Sequence, residues 1–187
     1  MKNLFTKVKI ALAMIGSLVA VFFSACGLFP QKQVHGDNLL KLSDSKLFET
    51  VYLQTLELVE SFPDEETALS EMSTPQKTVY ILSMFDMELQ NGGLCQFFVN
   101  SSRYLAPYVD DCLAIVGAED HRQMFGKFVS DNKLDLTDLD SFEVLDVEEY
   151  AAQTERYDFD SFDNAYYELA PLQDYIVAYI KNNISEF

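Results

Sequence analysis

The chain has 187 residues, with 13 basic against 30 acidic ones and a formal net charge of −17. That sign excludes binding to nucleic acid through its phosphates, because Lys and Arg are needed there to displace the counterions. It leaves an acidic protein that either stays soluble by self-repulsion or meets basic partners.

Residues 1–25 divide into a basic start (Lys2, Lys7, Lys9), an apolar stretch from Ile10 to Phe23 and a small-residue pair, Ser24-Ala25, just before Cys26. This is the pattern of a signal peptide. The apolar stretch of 14 residues is shorter than the ~20 a helix needs to cross the hydrocarbon core, so a permanent span is the weaker reading. Phe23-Ser24-Ala25-Cys26 resembles the lipobox of bacterial lipoproteins. The resemblance implies cleavage before Cys26, a diacylglycerol thioether on its sulfur and an acylated new N-terminus. Two or more acyl chains hold a protein at a membrane stably without spanning it. The expected location is therefore the bacterial cell envelope, with a mature part that carries 10 basic against 30 acidic residues.

Residues 26–45 contain Pro30, Gly36 and little periodicity and read as the lipidated N-terminus and a tether. Residues 46–187 read as one domain of about 140 residues, enough for a single core without disulfide staples.

Within that domain, Leu47, Phe48, Val51, Leu53, Leu56, Leu58 and Val59 recur largely at steps of three and four, which predicts an amphipathic helix from Lys46 to Ser61. Phe62-Pro63 ends it, and Asp64 opens a short helix through Met72. Ser73-Thr74-Pro75 starts the next, with a hydroxyl for the cap and proline in the first turn. Apolar around much of its circumference, that helix is the expected core element and runs to about Gln90. Asn91-Gly92-Gly93 stops it, since glycine supplies positive φ without steric cost.

Helices from Leu94 to about Asn100 and from about Leu105 to Val116 follow, the second ended by Gly117; Glu119 to Ser130 makes a shorter one. From Asp131 to Glu149 acidic and apolar residues alternate without a clean period, so order is expected only in part. Two stripes close the chain, Phe159-Phe162-Tyr166-Leu169 and Leu172-Ile176-Tyr179-Ile180. Nothing alternates long enough to predict a strand. The fold class expected is all-α, one compact multi-helix domain.

Residues that could carry chemistry are few. Asp131–Phe142 and Asp158–Leu169 lack the glycine and glutamate of a calcium loop, and a single domain histidine, His121, leaves metal clusters and catalytic triads without their parts. Cys95 and Cys112 lie in apolar helical surroundings, as buried thiols or a disulfide. No cofactor and no metal are expected. Glu88, Asn91, Gln96, Asn100 and Ser101 bracket the double glycine beside Phe97 and Phe98. Polar groups at such a junction mostly satisfy backbone at helix ends, although they could line a ligand pocket. Between Asp131 and Glu168 there are 13 acidic and two basic residues. Asp131, Asp135, Asp138, Asp140, Glu143, Asp146, Glu148, Glu149, Asp158 and Asp160 are the candidate partner-binding carboxylates of that run. Its bland alternative is a solvated face.

The segment Glu88-Leu-Gln-Asn-Gly-Gly-Leu-Cys-Gln-Phe-Phe-Val-Asn-Ser-Ser102, followed by Ala114-Ile-Val-Gly-Ala118, resembles the signature of a family of small helical domains named for a bacterial DNA-mimic protein. Phe162-Asp-Asn-Ala-Tyr-Tyr-Glu-Leu169, Tyr175, Tyr179-Ile180 and Asn183 support the resemblance, which covers roughly Lys46 to Phe187. That family tends to have an aromatic at the position of Leu94 and a glycine near that of Arg103. The resemblance implies an all-helical, non-enzymatic domain whose acidic surface imitates the phosphate array of DNA and so occupies a basic protein. Location outside the cytoplasmic membrane argues against literal mimicry here. The leading expectation is thus a membrane-anchored acidic module that binds a basic protein partner, without direct nucleic-acid binding. The alternative is an envelope enzyme or small-ligand binder with its pocket at the Asn-Gly-Gly junction.

Overall fold

The computed structural model describes residues 35–187; the expected signal peptide and Cys26 lie outside the described residues. Eight α-helices are present among the described residues: α1 Asp44–Glu60, α2 Glu65–Glu71, α3 Thr74–Val99, α4 Ala106–Val116, α5 Glu119–Asp131, α6 Val147–Arg156, α7 Phe159–Tyr167 and α8 Leu172–Asn182. Short 3-10 turns at Gly36–Lys41, Ser101–Leu105, Asp140–Phe142 and Ile184–Glu186 complete an all-α domain with no strand among those residues. No described helix is long and apolar enough to cross a membrane.

Local chemistry explains most of the boundaries. The Asp64 carboxylate accepts the Thr67 N–H at 2.7 Å and starts α2. The Ser73 N–H donates to Gln76 Oε1 at 3.2 Å at the start of α3, one half of a capping box, with Pro75 in the first turn. Gly117 at φ 77° ends α4 in the left-handed conformation that glycine adopts without a Cβ penalty.

Helix α3 is the centre of the fold, packed against α1, α4, α6, α7 and α8. Its backbone leaves helical geometry at Gly92 (φ −163°, ψ 18°) and Gly93 (φ 76°, ψ −177°), where the expected stop falls. The Phe85 and Phe97 ring centroids are 5.1 Å apart, whereas 12 residues of straight helix would rise about 18 Å. The chain therefore folds back at the glycines, and α3 is two arms of a hairpin. Between the arms and their neighbours lies an aromatic core: Phe85 also meets Phe125 and Tyr166 edge-on, and Phe98 stacks on Phe142 at 4.6 Å.

The tether boundary needs correction. Leu39, inside the stretch read as linker, is wholly buried in the core. Its 3-10 turn packs on the C-terminal one, and the Gly36 N–H donates to the Phe187 carbonyl at 2.9 Å. A six-residue turn that buries one leucine leaves no periodic signal, so the domain starts near residue 36 rather than 46. The acidic stretch after α5 is likewise anchored, by Leu139 and Phe142, both buried.

Candidate functional site

The fold-back at Gly92-Gly93 brings the polar residues of the junction onto one carboxylate. Glu88 is 8% exposed. Gln96 Nε2 donates to its Oε2 at 2.7 Å, Asn100 Nδ2 donates at 2.9 Å, and Ser102 Oγ donates to Oε1 at 3.0 Å. A buried carboxylate is tolerable only when its lone pairs are occupied in this way. Tyr52 lies close enough that the Glu88 charge adds to the effect of burial in pushing the phenol up to about 12.

The second arm of α3 is held at both ends. Asp163 of α7 accepts the Leu94 N–H at 2.8 Å, which satisfies a donor left free at a helix start. A Cβ on Gly93 would stand 2.0 Å from Asp163 Oδ2, so the glycine is required by the contact as well as by its positive φ. At the other end the buried Arg103 donates from Nη1 to the carbonyls of Val99 and Asn100, each at 3.0 Å, and lies over the Tyr104 ring. This chain thus sets a cation on the last carbonyls of the second arm. Phe97, Phe98 and Leu94 are fully buried, while Asn91 and Ser101 are exposed.

Of the junction residues read from the sequence, Glu88, Gln96 and Asn100 therefore form one satisfied network. Ser102, Arg103 and Asp163 are the members sequence reasoning missed. Donors and acceptors are used on one another, which argues against a ligand pocket here. The two cavities described in the structure are lined by other residues.

The other titratable candidates are sealed in. Cys95 and Cys112 are free and buried, and burial pushes both thiols up to about 11, which keeps them protonated and non-nucleophilic at neutral pH. His121, 2% exposed, sits edge-on between Tyr166 and Tyr175. Burial lowers its pKa, against the opposing pull of Asp86, Asp120 and the Ala170 carbonyl. The described residues contain no cluster of His, Cys, Asp or Glu that could hold a metal ion.

The acidic run divides by role. Asp146 caps α6 by accepting the Glu149 N–H, Glu149 reaches back to the Leu145 N–H at 2.6 Å, and Asp158 caps α7 through the Ser161 N–H. Asp135 closes a turn on Thr137, and Asp131 pairs with Lys127. Asp138, Asp140, Glu143, Glu148 and Asp160 are exposed. Asp140, Glu143 and Glu149 converge on an open groove of about 520 Å³ between the Asp140–Phe142 turn and α6, which Leu145, Ala152, Gln153 and Arg156 also line.

A family model described as DMP19-like protein matches residues 70–183, from the end of α2 to the end of α8, including the whole hairpin network and the acidic run. No curated protein matches the chain, and no solved structure does.

Proposed function

This chain belongs to the DMP19-like family, and from that premise we propose that it is a membrane-anchored acidic interaction module that binds a basic protein partner and has no catalysis of its own. The observation that carries the reading is the run from Asp131 to Glu168, 13 acidic against two basic residues, presented on a folded surface rather than on a loose tail. DMP19 is a DNA-mimic family. A fixed array of carboxylates offers a basic protein what the phosphates of DNA offer it: a complementary field that speeds encounter and fixes register.

Anchoring through Cys26 completes the proposal and sets its context. Its support is the lipobox-like sequence Phe23-Ser24-Ala25-Cys26. The chain enters beside Phe187, and Glu186 accepts a hydrogen bond from Gln76 at the start of α3. The acidic α7 packs at the other end of that arm, where the Tyr167 hydroxyl donates to the Leu89 carbonyl. Thirteen residues of helix separate Gln76 from Leu89, about 20 Å along the axis. The acidic α7 thus lies about 20 Å along this helix from the point where residue 36 joins the domain.

The test is binding of the full chain to a basic DNA-binding protein across a salt series, with duplex DNA as competitor and mass spectrometry of the N-terminal peptide for the lipid. Expected are a steep loss of affinity as the screening length shortens from about 10 Å at 0.1 M salt to about 3 Å at 1 M, displacement by DNA, and a diacylated Cys26. Salt-insensitive binding would overturn the electrostatic reading. An unlipidated chain in the cytosol would overturn the anchoring and restore literal DNA imitation as the better account.

A further inference from the structure

We propose that Met84 and Met87 form a site of oxidative modification, with the Tyr52 hydroxyl as the donor that holds the oxidised form. Helix α1 carries Tyr52 across to the first arm of α3, where its hydroxyl donates to Met84 Sδ at 3.4 Å and lies 3.5 Å from Met87 Sδ. Packing explains a methionine against the face or edge of an aromatic ring, but not two sulfurs that converge on the polar end of one. A hydroxyl has a single proton, so it serves one of the two sulfurs at a time, and a thioether is a weak acceptor. The stronger acceptor nearby is the Glu88 carboxylate, whose charge acts on this phenol. It already takes donors from Gln96, Asn100 and Ser102. Tyr52 therefore holds a donor that sulfur uses only in part.

The co-reactant is hydrogen peroxide. A sulfur lone pair attacks one peroxide oxygen, the S–O bond forms as the O–O bond breaks, and the departing hydroxide takes the proton of the transferred oxygen and leaves as water. The thioether is oxidised to a sulfoxide and the peroxide is reduced by the same two electrons. A sulfoxide is polar, and without a donor it disrupts the packing of the helix that bears it. Here an oxygen added on the side of Tyr52 stands one bond nearer the phenol than the sulfur does. The contact of 3.4 Å at Met84 then becomes an O–H···O bond of ordinary length, about 2.7–2.8 Å. Access favours the same pair, since Met84 and Met87 are half-buried, whereas Met72 is only 7% exposed.

The experiment exposes the folded full chain to limiting hydrogen peroxide and locates sulfoxide by peptide mass spectrometry. It then measures the Tm of the oxidised protein by circular dichroism and the Tyr52 ¹³Cζ resonance by NMR. Expected is sulfoxide at Met84 and Met87 several times faster than at Met72, as access dictates, with a downfield move of the Tyr52 resonance as its hydroxyl takes the stronger acceptor. Tyr52→Phe keeps the ring and its stacking on Phe48 but lacks the donor. Oxidation should lower the Tm of that variant by about 2–4 °C more than it lowers the wild type's, as fits one missing hydrogen bond in a domain of this size. In the double variant Met84→Leu with Met87→Leu, peroxide should leave the Tyr52 resonance in place; should Tyr52→Phe fail to fold, this comparison decides. Met84 and Met87 oxidised no faster than Met72, an unmoved Tyr52 resonance in the oxidised wild type, or equal Tm losses with and without the hydroxyl would each overturn the site.

Discussion

Replacing Glu88 by Gln is the sharpest perturbation of the hairpin junction. The side chain keeps its length, but one of two acceptor oxygens becomes an NH₂ donor. In the native junction Gln96, Asn100 and Ser102 all point donors at this carboxylate. The variant loses the charge from bonds worth about 1.5–3 kcal/mol each when one partner is ionised, and leaves at least one buried donor facing another, about 1–3 kcal/mol. Some relief comes from rotation of the Asn100 amide, so a net loss of about 3 kcal/mol is expected, or roughly 10 °C in Tm for a domain of this size. Urea unfolding monitored by circular dichroism measures it. A second readout separates the network from general damage: exchange of the Gln96 and Asn100 side-chain amide protons should speed up in Glu88→Gln while the protection of α5 and α8 amides persists. A loss below about 0.5 kcal/mol, within the range of ordinary surface substitutions, with unchanged side-chain exchange, would refute the claim that this carboxylate organises the fold-back.

Two further outcomes follow from the same geometry. Gly93→Ala should cost about 2–4 kcal/mol, from a backbone conformation open essentially to glycine and from the collision with Asp163; Asp163→Ser should recover part of that cost in a double-mutant cycle, and full additivity would show that the carboxylate is not the obstacle. For His121, burial lowers the folded-state pKa below its unfolded value of about 6.5, so the unfolded chain binds the proton more readily. Its contribution to stability is complete above about pH 6.5 and declines as pH falls through the window down to the depressed folded value, by at most about 1.4 kcal/mol per pH unit. His121→Phe, shaped to fit between Tyr166 and Tyr175, should flatten stability in that window; an unchanged slope would assign the acid sensitivity to other groups.

The fold was legible wherever its cause is local. Pro63, the Ser73-Thr74-Pro75 start, the double glycine and Gly117 act through the φ and capping preferences of adjacent residues, and each boundary falls where those preferences put it. What escaped depends on distant partners. Asp163 caps Leu94 from 69 positions away, and nothing in either segment announces the other. Leu39 is buried by packing against the C-terminal turn, so a short polar stretch that reads as linker is part of the core. Gln96 and Asn100 could be picked out as polar residues beside apolar ones. That they share one acceptor with Ser102 becomes visible only once the chain has folded back.

The distribution of carboxylates decides which of them can be assigned to binding. Helices α6 and α7 have ten and nine residues, too short to be stable alone in water. Each begins with an aspartate that caps it, and its first turn carries further acidity, Glu148 and Glu149 in α6 and Asp160 in α7, where it also meets the positive end of the helix dipole. Part of the acidity is therefore what makes this segment helical at all, whatever it binds. Neutralising Asp146 or Asp158 would weaken the surface by loosening its scaffold, and a loss of binding in those variants would say nothing about contact. Asp140 and Glu143 differ. They stand before α6, on the wall of the groove, where loss of their charge leaves both caps intact. Binding that falls with these two and survives at the caps' expense of stability alone is the pattern that separates a displayed charge from a structural one.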